Sequence, residues 1–258
     1  MEQECCVSVS QYDGPTGFFG CKRAVPNPYT YTAGLGWLSP ISGMRLQLAL
    51  DVSDVDRALS IARTVRDQVD VIEVGTPLLM AEGTRAVSEL SQAHPEKPIV
   101  ADAKIVDAGR YEAELMFDAG GDAVTVLSAA AEPTIRRVVE TAQERDGAVV
   151  LDTINADVVE SLERAERAGV DSLLVHRGTD QTQVDGSGPV GDLRRIADLA
   201  DLPLAVAGGL NEDNVDRVVE QGATTVVVGS AISRASDPAA AASRIRATME
   251  AATDAQTR

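Results

Sequence analysis

From residue 44 onward, short β-rich apolar runs recur eight times, with longer amphipathic stretches between them. The runs read RLQLALD, DVIEVG, PIVADAK, DAVTVLS, GAVVLDT, DSLLVHR, LPLAVAGG and TTVVVGS; the intervening stretches include DVDRALSIARTVRDQ and NEDNVDRVVEQG. Runs that are apolar at nearly every position belong to strands covered on both faces, which is the situation of strands in a parallel sheet. Eight such strand–helix repeats in roughly 215 residues predict an α/β chain of (β/α)8 TIM-barrel type, a single catalytic domain over 44–250. An open doubly wound sheet is the competing architecture, but no GxGxxG follows the first strand.

The flanks read differently. Residues 1–43 hold all three cysteines (Cys5, Cys6, Cys21), the only tryptophan (Trp37) and the turn-prone DGPTGFFG and AVPNPYTYTAGLG, with no sustained period. They read as an irregular, disordered extension, and 251–258 as a frayed tail. Three cysteines with no histidine nearby suit neither a zinc site of usual spacing nor a disulfide framework.

Charge narrows the partners. A formal charge of -17 argues against nucleic acid and against an anionic membrane, both of which demand a basic face. A phosphorylated metabolite remains compatible if its pocket is locally positive. No apolar run approaches the length of a membrane span and no secretory leader pattern opens the chain, so the expected location is the cytoplasm. Lysine occurs only at positions 22, 97 and 104, and the other 20 of the 23 basic residues are arginine. Acid excess with scarce lysine predicts adaptation to high salt, where screening relieves self-repulsion.

Barrel enzymes carry their chemistry at the C-terminal ends of the strands. Here those ends present Asp51, Glu73, Asp102, Lys104, Asp152 and His176. Residues at i and i+2 of a strand share a face, which puts Asp102 and Lys104 together. Acids around one lysine must pair internally or bind a cation, and the hard oxygens of Glu73 with Asp102 suit Mg2+, or Mn2+, better than zinc. His176, ending an apolar strand, is a candidate general acid or base, whereas His94, before a proline in QAHPEK, reads as a solvated loop residue. Arg177 is either rim charge or a substrate contact. The loops after the seventh and eighth strands, AGGLNEDN and VGSAIS, carry Gly208, Gly209 and Gly229, which let backbone N–H groups approach an anion, with Asn211 able to cap the following helix.

The segments ALD, IEVGTP, ADAKIVDAG, VLDTI, LLVH, AGGL and VVVG, in this order, resemble the 3-hexulose-6-phosphate synthase branch of the orotidine-monophosphate-decarboxylase superfamily. The DxKxxD motif carries the superfamily and IEVGTP the branch. The resemblance implies a lyase that joins ribulose 5-phosphate and formaldehyde through an enediolate. It implies Mg2+ on Glu73 and Asp102, Lys104 at the developing oxyanion, and His176 moving the proton at carbon 1. Asp51 and Asp152 would orient substrate hydroxyls, and Gly208, Gly209, Gly229 and Ser230 would hold the phosphate. Asp107 would reach the neighbouring subunit's site, so a homodimer with shared active sites is expected. The alternatives are a 3-keto-L-gulonate-6-phosphate decarboxylase, from whose pattern the chain departs near Asp152 and Thr179, and a non-catalytic sugar-phosphate-binding barrel.

Overall fold

In a computed structural model, which describes residues 43–181 and 188–256, the eight apolar runs form eight parallel strands. These are β1 (Arg45–Leu50), β2 (Val71–Val74), β3 (Ile99–Ile105), β4 (Ala123–Leu127), β5 (Ala148–Asp152), β6 (Ser172–His176), β7 (Leu204–Ala207) and β8 (Thr225–Val228). Each pairs with its sequence neighbours and β8 returns to β1, closing the barrel. The expected (β/α)8 fold is therefore present. The extension expected over 1–43 lies outside the described residues apart from Gly43.

Around the strands lie α1 (Val55–Val65), α2 (Thr76–Glu82), α3 (Thr84–Ala93), α4 (Gly109–Asp118), α5 (Glu132–Glu144), α6 (Val158–Ala168), α7 (Val190–Ile196), α8 (Val215–Glu220), α9 (Ser230–Ser233) and α10 (Pro238–Gln256). Local sequence sets several of their starts. Asp54 and Asp157 cap α1 and α6 through their carboxylates, and a proline stands in the first turn of α2 and α5. The expectation of a frayed tail from 251 is corrected. The last helix continues through Gln256 because Ala252 is buried against the core and the Gln256 side-chain amide donates to the Val219 carbonyl.

Strand alternation sorts the core into two parts. Leu46, Leu48, Leu50, Ile72, Val74, Val149, Leu151, Val226 and Val228 point outward into the large cluster shared with the helices. The intervening positions face the barrel interior and are smaller or polar, with Val71, Val100, Ala123 and Ala148 below Ala49, Val150, Leu174, Ala205, Ala207 and Val227. Four further inward positions, Gln47, Thr125, Ser172 and Thr225, line a small internal space beneath the mouth.

The bottom of the barrel repeats every two strands. Asp70, Asp122 and Asp171, each immediately before an even strand, accept the N–H of Leu46, Ile99 and Val149 at 2.8 Å. Each also returns its own N–H to the same residue's carbonyl, and Thr224 makes the corresponding backbone bond to Leu204. One residue thus satisfies both backbone groups at the start of β1, β3 and β5, and Thr224 satisfies the carbonyl at the start of β7. The arrangement raises the proton affinity of two of these acids: burial pushes the Asp122 and Asp171 carboxyls above the usual range, against the opposing backbone hydrogen bond.

Candidate active site

At the opposite end, polar side chains from β1, β2, β3, β5 and β6 converge. Lys104 is their hub. Its Nζ lies 2.6 and 2.7 Å from the two oxygens of Asp102 and 3.3 Å from Asp152 Oδ2. Burial alone would lower the lysine pKa, but Asp102 and then Asp152 outweigh it and the ammonium is held protonated.

Asp152, fully buried at the end of β5, holds His176 in turn, with His176 Nδ1 2.9 Å from Asp152 Oδ2. Burial opposes ionisation of Asp152, yet the hydrogen bond and charge of His176, together with Lys104 and the Ile154 N–H, carry its pKa below the ordinary value. An ionised carboxylate can only accept, so Nδ1 carries a proton and Nε2 is the ring nitrogen turned away from Asp152. Thr153 Oγ1 accepts the His176 backbone N–H and fixes the ring's base.

Glu73 and Asp51 complete the acidic side. Glu73 is 4% exposed, accepts from Gln47 Nε2 at 2.8 Å, and has its pKa raised to about 8, first by burial and next by the charge of Asp102. Asp51 stands at the solvent-facing rim just after β1. Enough protein still surrounds its carboxylate that burial, then Asp102, push its pKa up. Asp51 also lies against the backbone of its neighbours: a Cβ placed on Gly75 would come within 2.3 Å of its Oδ1, and one on Gly229 within 3.2 Å of its Oδ2. The glycine of IEVGTP is needed because Asp51 and the Leu50 carbonyl fill the space a side chain would take.

Asp51, Glu73, Asp102 and Asp152 thus share a mouth with one lysine and one histidine, and Glu73 is raised by burial first and by the neighbouring Asp102 charge next. A divalent cation would offset that charge. No group of three or more His, Cys, Asp or Glu with metal-binding geometry occurs among the described residues, and the pair expected from the sequence, Glu73 with Asp102, offers hard carboxylate oxygens. That donor set fits Mg2+ or Mn2+, which keep waters or substrate oxygens in their remaining positions, and does not fit structural zinc.

The loops after β7 and β8 take backbone forms that depend on glycine. Gly208 and Gly209 both adopt positive φ, 117° and 66°, and Gly208 packs so closely that a Cβ would meet the Arg177 carbonyl at 2.3 Å. Gly229 and Ser230 form the turn into α9. Two sequence expectations are corrected. His94 is 2% exposed, because it closes α3 with its ring turned into the protein, where burial lowers its pKa. Asn211 does not cap α8: its side chain accepts from Asp213 N in the preceding turn, and Asn214 occupies the N-cap.

Asp107 is exposed and accepts the N–H of Ala108, which takes a left-handed φ of 38°. Lys104 of the same chain instead pairs with Asp102 and Asp152. Around Asp107, Val106, Tyr111 and Leu115 are exposed, as is Met80 on α2. Arg177 pairs loosely with Asp192, Nε to Oδ2 3.6 Å. The residues that sequence reasoning passed over are Thr76, Thr125 and Gln47. Thr76 Oγ1 lies 2.8 Å from Asp102 Oδ2, and Thr125 Oγ1 2.9 Å from Asp102 Oδ1. Gln47 and Thr125 are polar residues in inward register within apolar runs, and that signal could have found them.

The sequence profile of the orotidine 5'-phosphate decarboxylase / HUMPS family matches residues 44–245. The chain belongs to this family. Within it, the 3-hexulose-6-phosphate synthase of Mycobacterium gastri is 39% identical over 205 residues, covering 79% of this chain and 99% of that protein. The synthase of Bacillus subtilis is 37% identical over 205 residues, 79% of this chain and 97% of that one. Among solved structures, a 3-hexulose-6-phosphate synthase from Salmonella typhimurium matches with a TM-score of 0.78 at 41% identity, covering 81% of this chain and 100% of its own. A 3-keto-L-gulonate-6-phosphate decarboxylase from Vibrio cholerae matches at 0.73 with 28% identity, covering 81% and 98%. As in any protein of the decarboxylase/HUMPS family, function has to be argued from the mouth of the barrel, because the scaffold hosts more than one reaction.

Proposed function

We propose that the chain is a 3-hexulose-6-phosphate synthase, a cytoplasmic aldehyde-lyase that reversibly condenses D-ribulose 5-phosphate with formaldehyde to D-arabino-hex-3-ulose 6-phosphate. The observation that carries the reading is the unbroken relay Asp102–Lys104–Asp152–His176 beside Glu73. The higher identity to the synthases than to the keto-gulonate-phosphate decarboxylase supports the same choice.

The residues divide the work. His176 Nε2 removes a proton from carbon 1 of the ketose, with the charge that develops on the imidazole neutralised by buried Asp152. The Lys104 ammonium donates to the oxyanion of the resulting enediolate, which needs positive charge in a water-poor site. Carbon 1 then attacks the formaldehyde carbon, and the new alkoxide recovers the proton from His176. Asp51 and Asp152 orient the sugar hydroxyls, while the backbone at Gly208, Gly209, Gly229 and Ser230 receives the phosphate. Mg2+ held by Glu73 and Asp102 would supply Lewis-acid polarisation of the ketose oxygens.

The reading includes a homodimer in which Asp107 completes the partner's site. It is supported by the exposed Asp107 amid Val106, Tyr111 and Leu115, an apolar surface of the kind a second copy covers. The decisive assay is formaldehyde consumption dependent on ribulose 5-phosphate, measured with and without EDTA. Loss of formaldehyde that ignores ribulose 5-phosphate, or no loss at all, would sink the proposal.

A further inference from the structure

β4 brings neither an ionisable side chain nor a glycine loop to the mouth, yet its one polar inward residue touches both ends of the DxK motif. The β3–β4 pairing runs regularly through Val100↔Ala123 and Ala101↔Val124, then resumes only at Ile105↔Val126. Four residues are advanced on β3 for two on β4, so Asp102, Ala103 and Lys104 bulge from the ladder. Lys104 takes a φ of 47°, the left-handed region, which a non-glycine residue adopts only when its surroundings enforce it. Simple i, i+2 alternation is therefore not what unites Asp102 and Lys104.

What stands opposite the bulge is Thr125, 1% exposed, between the two paired residues Val124 and Val126. Its hydroxyl accepts the Lys104 N–H at 2.9 Å, replacing the ladder partner that the bulge removed. The same hydroxyl donates to Asp102 Oδ1 at 2.9 Å. A hydroxyl has one proton to give and lone pairs to receive, so both bonds form at once and in only one sense. Valine, of the same shape, can do neither and would leave the Lys104 N–H buried without a partner.

We propose that Thr125 is a positioning residue: it locks the β3 bulge so that the Lys104 ammonium and the Asp102 carboxylate are presented to the reacting atoms. The inference rests on the synthase reading for its kinetic consequences and on backbone geometry alone for its structural ones. It touches no substrate; it acts through its two neighbours.

The test compares Thr125→Val, Thr125→Ser and, as control, Thr225→Val. Thr225 is a buried inward threonine of β8 whose hydroxyl meets Arg45 Nε at 3.4 Å, below the site. Misplacing a catalytic group by about 1 Å costs on the order of 100-fold, so Thr125→Val should lose about that in kcat, with KM for ribulose 5-phosphate moving less than about threefold. Thr125→Ser, which keeps the hydroxyl, should stay within about threefold of the parent, and Thr225→Val should keep its kcat despite a comparable fall in Tm. Independently of activity, amide exchange at Lys104 should accelerate at least about tenfold in the valine variant and stay protected in the serine variant.

Retention of kcat in Thr125→Val, equal loss in the Thr225→Val control, no rescue by serine, or a kcat loss with Lys104 still protected would each overturn the proposal. A parent protein that consumes no formaldehyde would instead bring down the synthase reading. The exchange measurements would then still decide whether Thr125 holds the bulge.

Discussion

Glu73 gives the most quantitative handle on the proposed metal. Its pKa of about 8 follows from burial and from Asp102 close by, and a carboxylate must be deprotonated to ligate. With a pKa of about 8, roughly one molecule in eleven is ionised at pH 7 and half at pH 8. The apparent Mg2+ affinity should accordingly rise about fivefold from pH 7 to 8 and less than about twofold from 8 to 9, and binding at pH 7 should release about 0.9 proton. Titration calorimetry in two buffers of different ionisation enthalpy reads that proton directly. The sign extends to stability. A carboxyl whose folded pKa is raised favours the fold at pH below its unfolded value near 4.5, and that contribution is lost as pH climbs through about 8. Metal-free protein should therefore lose Tm across that window, with Mg2+ restoring most at its alkaline end. Glu73→Gln should abolish the proton release along with tight binding. Mg2+ that binds with the same affinity from pH 6.5 to 8.5, releasing no proton, would refute the link between Glu73 and the ion.

Further outcomes follow from the same geometry. Lys104→Ala and Asp107→Ala homodimers should each be nearly inactive, whereas refolding them together should restore about a quarter of parent activity, because half the dimers are mixed with one intact site each; confirmed mixed dimers without recovery would remove Asp107 from the partner's site. Gly75→Ala should cut activity by about tenfold or more, since its Cβ falls 2.3 Å from Asp51 Oδ1 and 2.8 Å from the Leu50 carbonyl, a displacement that kinetics would show missing if Asp51 were idle. Tm should rise with potassium chloride to molar levels as the Debye length shrinks to about 3 Å; only three of the 40 acids and two of the 23 bases precede residue 44, so a flat or falling Tm would end the high-salt reading of the barrel. Residues 44–258 expressed alone should match the full chain in specific activity and melting, and a large loss in either would make the first 43 residues integral.

The barrel was legible because its signal is distributed: outward positions such as Leu46, Leu48, Ile72 and Val74 must all be apolar to cover helices, and that requirement recurs eight times. Asp102, Lys104, Asp152 and His176 were legible for the opposite reason, since each is costly at the end of an apolar strand and so stands out. What escaped were neutral partners and irregular backbone. Thr125 and Gln47 look like ordinary strand residues until the charges they hold are seen. The left-handed Lys104 cannot be read from a lysine, which has no preference for that conformation. His94 was misread because a polar connection before a proline implies exposure, and only tertiary packing beneath α3 buries it.

The two ends of the barrel use the same residue type to opposite effect. At the bottom, Asp70, Asp122 and Asp171 each commit an oxygen to a backbone N–H, that of Leu46, Ile99 or Val149, a neutral donor on the preceding strand that helps fix register, and Asp70 also accepts from Arg246. At the top, Asp102 and Asp152 also accept neutral donors, from Thr76, Thr125 and the Ile154 N–H, but add Lys104 and His176, so part of their hydrogen bonding depends on charge and can be redistributed when a substrate or ion arrives. Register set below lets the upper ladder tolerate a bulge: β3 can depart from β4 at Asp102 because Ile99 is already anchored by Asp122 and Ile105 resumes pairing beyond it. Asp122→Ala should therefore loosen the site from a distance, lowering Tm while also speeding amide exchange through Ile99–Ile105. If exchange changed only at the foot of the strand, the bulge would be held by Thr125 without help from below.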